Sequence, residues 1–402
     1  MCRNDIVGIP TDNVVIAGGG LAAIRTAQAL RDLKYPGRIT LLSDEACLPY
    51  DRPPLSKAYL QGKADEEKIR LASPDRVTEL DIEARLNKPV AGVDVNERQV
   101  RLADGTRVDY GRLVVATGAR PIMLEQLKPF RNVHVLRSMT DADALRAALV
   151  PGRRVLIVGA GFIGLEIAAT ATGLGCRVTL IEAARTPLAA ILGTQLGGCI
   201  QRWHERKGVE FRCDARLARV IGDSSVETLE LTDGTSLQVD VVVVGIGQTP
   251  NVEWLAGSGL ELNRGLVCDP LGRTADPLVF GVGDAVCCRV GSEYRPTRHW
   301  TATTEQARRV AGTICGQPEA GPIVEDNYFW SDQHGSRLQF VGCVPPEPRL
   351  VWVSGSPSED RFAVLCCTAE YVTAVFSLGS VRDFLAHSMP LRRGERVAAP
   401  VP

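Results

Sequence analysis

Two stretches of the chain share the same order of apolar and polar positions. Residues 14–17 are a short apolar run that ends at a glycine cluster, and residues 21–30 follow with apolar positions at helical spacing. A second strand is predicted at residues 38–45, which completes a strand–helix–strand unit. Residues 154–182 repeat this order, with VLIV, then GAGFIG, then a helical segment before RVTLIE. The pattern predicts two α/β units with parallel strands.

A second pattern is also repeated. The segment ADGT precedes the apolar run LVVATG, and the segment TDGT precedes VVVVGIG. An Asp-Gly pair between two strand-like runs predicts a β-hairpin. Residues 299–314 have helical spacing, and the chain from about residue 325 contains short alternating strands such as RLVWVSG and FAVLCC. These patterns predict a duplicated dinucleotide-binding plan followed by a small α+β domain.

Composition excludes several classes of partner. The chain has 402 residues, a length that suits two or three domains. Its formal net charge of −1 gives no electrostatic reason to expect nucleic acid or an anionic membrane as a partner. No apolar run approaches the roughly 18–20 residues that a membrane span needs. The first residues, MCRNDIVGIPTDN, lack an apolar signal core. We therefore expect a cytoplasmic protein with no nucleic-acid or membrane partner.

The cysteines do not predict a metal or a redox dithiol. Twelve cysteines are scattered along the chain without a C-x-x-C pair, which argues against zinc, iron–sulfur and thioredoxin-type sites. Such cysteines are usually small buried hydrophobes. The adjacent pairs Cys287-Cys288 and Cys366-Cys367 are interpreted as structural.

The two glycine clusters match dinucleotide-binding turns. Glycine lets the unpaired N–H groups of a helix N-terminus approach a pyrophosphate without a side chain in the way. The spacing G-x-G-x-x-G or its alanine-ended variant is met by Gly18, Gly20 and Ala23 in the first cluster and by Gly159, Gly161 and Gly164 in the second.

An acidic residue follows each turn at the end of the next predicted strand. Asp44 and Glu182 lie roughly 20 residues beyond their turns, as a ribose-binding carboxylate does. Glu182 would accept a hydrogen bond from a ribose 2′-hydroxyl and repel a 2′-phosphate, which favours NADH over NADPH, although the nearby Arg185 leaves NADPH open. Two turns predict two dinucleotides, and FAD with NADH is the economical pair because one can reduce the other.

The segments LPYDRPPLSK, LVVATGARP, GFIGLE, GVGDA and FWSDQHG together resemble one family. It is the FAD-dependent ferredoxin reductases of bacterial oxygenase systems, which include putidaredoxin reductase and the reductases of aromatic-ring dioxygenases. The resemblance covers nearly the whole chain. It implies a glutathione-reductase-like α/β fold with two Rossmann-like domains and a small C-terminal α+β domain. The implied boundaries are residues 1–118 and 247–324 for FAD binding, 119–246 for NAD binding, and 325–402 for a C-terminal interface domain.

The resemblance also implies roles for individual residues. The cofactor-binding residues that it implies toward FAD are Gly18, Gly20, Ala22, Asp44, Arg52, Lys57, Val90, Arg137, Asp284 and Trp300. Those that it implies around the second turn are Gly159, Gly161, Phe162, Ile163, Gly164, Glu166, Glu182 and Gly245. The implied catalytic residues are Lys57, Glu166 as the acid that holds this lysine, and Trp330 beside the flavin. For Asp284 an alternative role is to cap a helix.

The reaction implied by the resemblance is an electron relay in the bacterial cytoplasm. NADH passes hydride to the flavin, which releases electrons singly to a small 2Fe-2S ferredoxin, and this feeds a monooxygenase or dioxygenase, as in aromatic hydrocarbon catabolism. Rubredoxin is an alternative acceptor. An NADH oxidase, peroxidase or disulfide reductase is a second possibility, but the redox cysteine of peroxidase-like relatives falls near Lys57, and Cys47 lies earlier in the chain. A non-enzymatic NADH-sensing flavoprotein is the third.

Overall fold

The computed structural model describes residues 12–296, 300–317 and 327–400. The chain folds into two compact units, each assembled from three segments. Unit 1 comprises Met1–Asp51, Glu66–Arg120 and Thr249–Ile323. Unit 2 comprises Arg52–Asp65, Pro121–Gln248 and Val324–Pro402. The domain boundaries implied by the resemblance remain a prediction.

Unit 1 contains a five-stranded parallel sheet. Its strand order is Val279–Gly281, Arg112–Val115, Asn13–Ala17, Arg38–Leu42 and Ile82–Arg85. Val14, Val15 and Ile16 are fully buried, as expected for a central strand covered on both faces. The helices Leu21–Asp32 and Trp300–Ile314 contribute buried residues to the same apolar core.

Two smaller sheets complete unit 1. One is the antiparallel sheet of Val90–Asp94, Gln99–Leu102 and Arg107–Asp109, which contains the predicted ADGT hairpin. The other contains Leu266–Cys268, Val286–Val290 and Glu293–Pro296. The short helices of this unit are Glu66–Ile69, Pro74–Glu79, Glu253–Leu255 and Gly283–Ala285.

Unit 2 repeats the same plan. Its parallel sheet has the order Val209–Arg212, Arg177–Ile181, Arg154–Val158, Val241–Val244 and Val133–His134. An antiparallel sheet of Leu217–Ile221, Thr228–Leu231 and Ser236–Gln238 contains the predicted TDGT hairpin. The helices are Pro53–Ser56, Glu125–Leu127, Met139–Ala148, Phe162–Gly173 and Ala189–Arg206, the last of which is kinked at Gly193. The repeat predicted from the sequence is therefore present in the fold.

The C-terminal part of unit 2 is an antiparallel sheet with one long helix, Val381–Arg392. The strand order is Phe329–Gln333, Ser336–Gly342, Tyr371–Leu378, Phe362–Cys367 and Arg349–Ser354, and Val397–Ala398 pairs with Tyr371–Leu378. All six residues of Phe362–Cys367 are buried, so the expected alternation is wrong for this strand. It is an interior strand of the sheet, and every one of its side chains is apolar.

One predicted strand is shorter than expected. The strand predicted over residues 38–45 ends at Leu42. The reason lies in the next residues, where the Ser43 hydroxyl accepts a hydrogen bond of 3.1 Å from the Glu45 main-chain N–H. A serine that bonds the backbone two residues ahead favours a turn over an extended chain. Two further strands, Ala119–Pro121 and Gln248–Pro250, are three residues each.

Candidate functional site

The first glycine turn, residues 18–23, joins a buried strand to the helix Leu21–Asp32. Gly18 has φ +142°, and a Cβ there would lie 2.1 Å from the carbonyl oxygen of Ala116. The helix begins after Gly20 with no side-chain cap and no acidic residue in its first turn. Its N-terminal N–H groups and the positive end of its dipole therefore suit an anion. This arrangement fits the pyrophosphate of a dinucleotide.

In the second glycine turn, residues 159–164, the contacts within the protein distinguish glycines that packing requires from one that it does not. Gly159 has φ +104°, and a Cβ there would lie 2.5 Å from the carbonyl oxygen of Gly245. A Cβ on Gly164 would lie 2.1 Å from the carbonyl oxygen of Gly159. For Gly161 the nearest atom would be 3.9 Å away. Packing within the protein explains Gly159 and Gly164. Gly161 instead leaves room at an uncapped helix N-terminus, which fits a second pyrophosphate.

The two acidic residues differ in how they are held. Glu182 accepts hydrogen bonds from the main-chain N–H groups of Ala160, at 2.6 Å, and Ala184, at 2.9 Å. Its carboxylate is thereby fixed against the second glycine turn. Asp44 lies just beyond the strand Arg38–Leu42 and is exposed. Glu182 is thus pre-positioned for a ligand of the turn, while Asp44 is open to solvent.

Three more of the predicted FAD residues lie in unit 1. Val90 begins a strand and packs on an apolar core, and Trp300 begins the helix Trp300–Ile314, where its indole N–H donates to Asp51 at 2.9 Å. Asp284 lies in the short helix Gly283–Ala285, whose N-cap is Val282. Asp284 therefore does not cap this short helix, and a capping role elsewhere stays a prediction. Its role toward a flavin stays a prediction.

The remaining predicted FAD residues lie in unit 2. Arg52 donates from Nη1 to the carbonyl oxygen of Arg137 at 2.5 Å. The main-chain N–H of Arg137 donates in turn to Asp141 at 2.9 Å, and Asp141 forms a capping box with Ser138. The two arginines are therefore held at the start of the helix Met139–Ala148.

Lys57 and Glu166 form a buried ion pair in unit 2. The distance from Lys57 Nζ to Glu166 Oε2 is 2.6 Å, and the two side chains are 18% and 5% exposed. Ser56 donates to Oε2 of the same carboxylate, and Ser331 donates to Oε1 at 2.5 Å. We call Ser56, Lys57, Glu166 and Ser331 the Glu166 cluster. A buried carboxylate needs such a set of partners, because an uncompensated charge would be costly to bury.

Local structure explains how Lys57 reaches this carboxylate. Pro53 and Pro54 open the short helix Pro53–Ser56, where their fixed φ is favourable and no N–H is lost. Lys57 follows directly, and its ammonium also donates to the carbonyl oxygen of Pro53 at 3.0 Å. Thr170, one turn beyond Glu166, donates to the carbonyl oxygen of Ser56 at 2.7 Å. The helix Phe162–Gly173 therefore holds both the carboxylate and the segment that carries the lysine.

Trp330 and the first residues of the helix Phe162–Gly173 present aromatic and apolar surface. The Trp330 ring stacks on Tyr328 with centroids 6.0 Å apart. Phe162 packs edge-on against Phe329 at 4.4 Å. Ile163 is 43% exposed, and Gly245 follows the strand Val241–Val244 with its N–H bonded to Val158. The structure brings Lys57 and Glu166 into contact; the assigned roles of these residues and of Trp330 stay predictions.

Several polar residues near Glu166 were missed from the sequence. Ser331 and Gln333 are buried on the same face of the strand Phe329–Gln333 as Phe329, and they alternate with the half-buried Trp330 and Asp332. Two polar residues on the buried face of a strand are a signal that could have been read in FWSDQHG. His204 is also fully buried, in the helix Ala189–Arg206, and its partners in space lie far along the chain.

Two histidines, the buried His204 and the half-buried His334, are expected to make the stability of the protein depend on pH. Burial, and then repulsion from His334, lower the pKa of His204 to about 3, although a hydrogen bond to Gln333 opposes this shift. Burial and Lys207 lower the pKa of His334 to about 4, and Asp360 opposes that shift. Both histidines are neutral in the folded protein at pH 5–6, whereas the unfolded chain takes up protons below about pH 6.5.

We expect the free energy of unfolding to fall as the pH decreases from 6.5 to 5, because only the unfolded state binds these protons. Above pH 6.5 both states are neutral and the full contribution is present. Urea unfolding of wild type and of the His204→Gln variant at pH 7.5, 6.5, 5.8 and 5.0 measures the effect. The variant should show a shallower slope. Equal slopes would show that His204 is not neutral in the folded state.

With the geometry in place, comparisons with known proteins identify the family. A family model described as pyridine nucleotide-disulphide oxidoreductase matches residues 12–308, and one described as reductase C-terminal matches residues 328–401. The chain is 37% identical over 390 residues to the probable ferredoxin reductase CtmF of Castellaniella defragrans, covering 95% of this chain and 94% of that protein. The chain belongs to the ferredoxin reductases of this oxidoreductase family.

Two further similarities agree with this assignment. The reductase is 33% identical to the biphenyl dioxygenase system ferredoxin–NAD(+) reductase component of Paraburkholderia xenovorans, covering 93% of this chain and 91% of that protein. Its structure matches the reductase in the crystal structure of a covalent putidaredoxin reductase–putidaredoxin complex with a TM-score of 0.88 at 32% identity, covering 95% and 93% of the two chains. The glutathione-reductase-like α/β fold class expected from the sequence is therefore confirmed.

The cysteines of the reductase give no support to a dithiol mechanism. None of the eleven described cysteines, Cys47 included, forms a disulfide bond. Cys366 and Cys367 are fully buried, and burial raises the pKa of the Cys366 thiol to about 12, so this thiol stays protonated and unreactive. Within the part of the chain that the structure describes, no helix is long and apolar enough to cross a membrane.

Proposed function

We propose that this reductase passes electrons from NADH through FAD to a small 2Fe-2S ferredoxin that supplies a monooxygenase or dioxygenase. The observation that carries the proposal is the pair of glycine turns in one chain of this family. Each turn precedes a helix N-terminus with no side-chain cap and no acidic residue in its first turn. One chain therefore has two anion sites of the kind that holds a dinucleotide.

The two turns have different proposed ligands. Gly18, Gly20 and Ala22, together with Asp44, Val90, Asp284 and Trp300, are proposed to hold FAD. Gly159, Gly161, Gly164 and Glu182 are proposed to hold NADH in unit 2. The Glu182 carboxylate is already fixed by two main-chain N–H groups, so it selects a ribose 2′-hydroxyl and disfavours a 2′-phosphate.

The Glu166 cluster holds the positively charged Lys57 ammonium in a fixed position. Bound FAD supplies the conversion between two-electron and one-electron transfer, which amino acid side chains do not provide. Lys57 is proposed to place its ammonium beside the cofactor, where it favours the extra negative charge of the reduced state. Glu166 and the carbonyl oxygen of Pro53 orient that ammonium. Arg52, Arg137 and Trp330 are also proposed to contact the cofactor.

Two points of context belong to the same proposal. None of the eleven described cysteines forms a disulfide bond, which agrees with a reducing compartment, and we place the reductase in the bacterial cytoplasm. Its similarity to a reductase of a biphenyl dioxygenase system favours an oxygenase that acts on aromatic compounds. The NADH oxidase, peroxidase, disulfide reductase and sensor alternatives become outcomes of the test.

Purified protein is expected to be yellow, with one FAD per chain, and to bleach anaerobically when NADH is added. NADH should then reduce a 2Fe-2S ferredoxin faster than it reduces rubredoxin, peroxide or a disulfide, and NADPH should be the poorer donor. Stopped-flow absorbance with each acceptor added separately measures these rates. Rapid peroxide or disulfide turnover, lost in Cys47→Ser, would contradict the proposal. So would a long-lived NADH–flavin complex that reduces no acceptor.

A further inference from the structure

A continuous chain of hydrogen bonds extends from Glu166 through unit 2. Ser331 Oγ lies 2.5 Å from Glu166 Oε1, and Gln333 Nε2 lies 2.9 Å from Ser331 Oγ. His204 Nε2 lies 2.7 Å from Gln333 Oε1, and His334 Nε2 lies 3.0 Å from His204 Nδ1. Five residues from three separate places in the sequence therefore form one line of contacts.

The carboxylate at one end fixes the direction of every bond. Ionised Glu166 can only accept, so Ser331 must donate its single proton to it and then accept from the amide N–H of Gln333. The carbonyl oxygen of Gln333 consequently faces His204, whose Nε2 must carry the proton. Nδ1 of His204 is then a bare acceptor, and His334 must donate from its own Nε2. Every donor in the line points toward Glu166.

Because these residues are buried, breaking any hydrogen bond of this line costs free energy. Ser331 and His204 are fully buried and Gln333 is 2% exposed. Buried polar groups are costly unless their hydrogen bonds are made, and aligned bonds polarise one another. Trp203 packs edge-on against both histidine rings, with centroids 5.0 and 5.2 Å away. The line is therefore built into the core of unit 2.

The outer end of the line is set by a tight turn. His334 and Gly335 have φ of +48° and +75°, the conformation of a type I′ hairpin between the strands Phe329–Gln333 and Ser336–Gly342. Gln333 and His334 are adjacent, so this turn presents one to each side of the His204 ring. The hairpin that carries FWSDQHG thus supplies three of the five members.

We propose that His204 and Gln333 are positioning residues of the reductase. Through Ser331 they hold the Glu166 carboxylate in the orientation that receives the Lys57 ammonium. They touch neither cofactor nor substrate in this role. The inference rests on the proposed function, because it assigns a supporting structure to the Lys57–Glu166 pair that we place beside the flavin.

The first test determines which atoms donate in the hydrogen bonds of the line, and it needs no enzyme turnover. Two-dimensional ¹⁵N–¹H correlation spectra of the imidazole rings, recorded on the oxidised FAD-loaded protein at pH 7, report which nitrogen carries each proton. His204→Gln and His334→Gln variants assign the signals among the five histidines of the chain. We expect His204 and His334 to be neutral and protonated at Nε2. A proton at Nδ1 of His204, or a charged His204 ring, would overturn the proposal.

The second test compares three variants for the rate of flavin reduction at saturating NADH. His204→Leu removes the donor, and we expect a rate about three- to tenfold lower with an unchanged Kd for NADH, as for the loss of one charge-directed hydrogen bond. His204→Gln keeps an N–H donor and should restore the rate. His134→Leu is the control, since His134 is another histidine of unit 2 and lies outside the line.

The outcomes separate this proposal from the proposed function. Equal rates in His204→Leu and His134→Leu, or no rescue by His204→Gln, would overturn the positioning role while leaving the reductase activity intact. If His204→Leu fails to fold, Gln333→Met replaces it, with the same expected loss, and the spectra of wild type still decide the direction of the bonds. Failure to bind FAD or to oxidise NADH would instead remove the proposed function.

Discussion

Gly161→Ala is expected to fold normally and to weaken NADH binding by about 10- to 100-fold, the range expected when one helix-terminal contact to a pyrophosphate is blocked. Gly161 has φ −74°, which alanine adopts readily, and its Cβ would meet no protein atom closer than 3.9 Å. The new methyl group would project into the space that we assign to the phosphates. FAD content should stay the same, because the FAD residues lie elsewhere.

Gly159→Ala, two residues earlier, should behave in the opposite way. Its φ of +104° is strained for alanine, and the new Cβ would lie 2.5 Å from a main-chain oxygen. We expect it to lose about 3 kcal/mol or more of stability. Gly173→Ala is the control, at the far end of the helix that follows this turn, where a Cβ would meet nothing within 4 Å. Thermal melts and NADH titration followed by flavin fluorescence measure both effects; wild-type NADH affinity in Gly161→Ala would refute the assignment.

Lys57→Met should destabilise the protein by about 2–4 kcal/mol, because it leaves the Glu166 carboxylate buried without its counter-ion. It should also slow the reduction of the flavin by NADH, since the positive charge assigned to the cofactor is lost. Adding Glu166→Gln to Lys57→Met should recover much of the stability and none of the rate. Urea unfolding at pH 7 and anaerobic stopped-flow spectroscopy measure the two quantities separately.

A second lysine provides a matched control for this experiment. Lys128 pairs with Glu125 at the same distance of 2.6 Å, but these side chains are 53% and 84% exposed. Exposed pairs contribute little because water screens them. Lys128→Met should therefore change neither stability nor rate appreciably. If the two lysine variants lose the same stability, burial of the Glu166 cluster is not what makes its ion pair matter.

The parts of the fold that the sequence predicted are those set by local interactions. Glycine turns, helical spacing and Asp-Gly hairpins each depend on neighbouring residues, so both α/β units and both hairpins were predicted. The strand that ends at Leu42 was predicted too long because the turn at Ser43 depends on a single hydroxyl. The strand Phe362–Cys367 was expected to alternate, yet all six of its residues are buried, so both faces of the sheet are covered at this interior strand.

The partners of Glu166 could not be predicted in the same way. Lys57 was assigned to Glu166 only through the family resemblance, and Ser56, Ser331 and Gln333 were not assigned at all. Glu166 and Ser331 are 165 positions apart, and nothing in the local pattern of either residue points to the other. The buried polar positions of FWSDQHG indicated that partners must exist, because buried polar groups are hydrogen-bonded. Which partners they have is decided by tertiary packing.

The segment Arg52–Asp65 belongs to unit 2, although the chain on either side of it belongs to unit 1. Neither unit can therefore be cloned as one uninterrupted stretch of gene. An engineer who exchanges residues 121–248 for those of a relative, to change nucleotide preference, would pair a foreign glutamate with the native lysine and serine. In a chimeric reductase, this short segment and the FWSDQHG hairpin should therefore come from the same parent as residues 121–248.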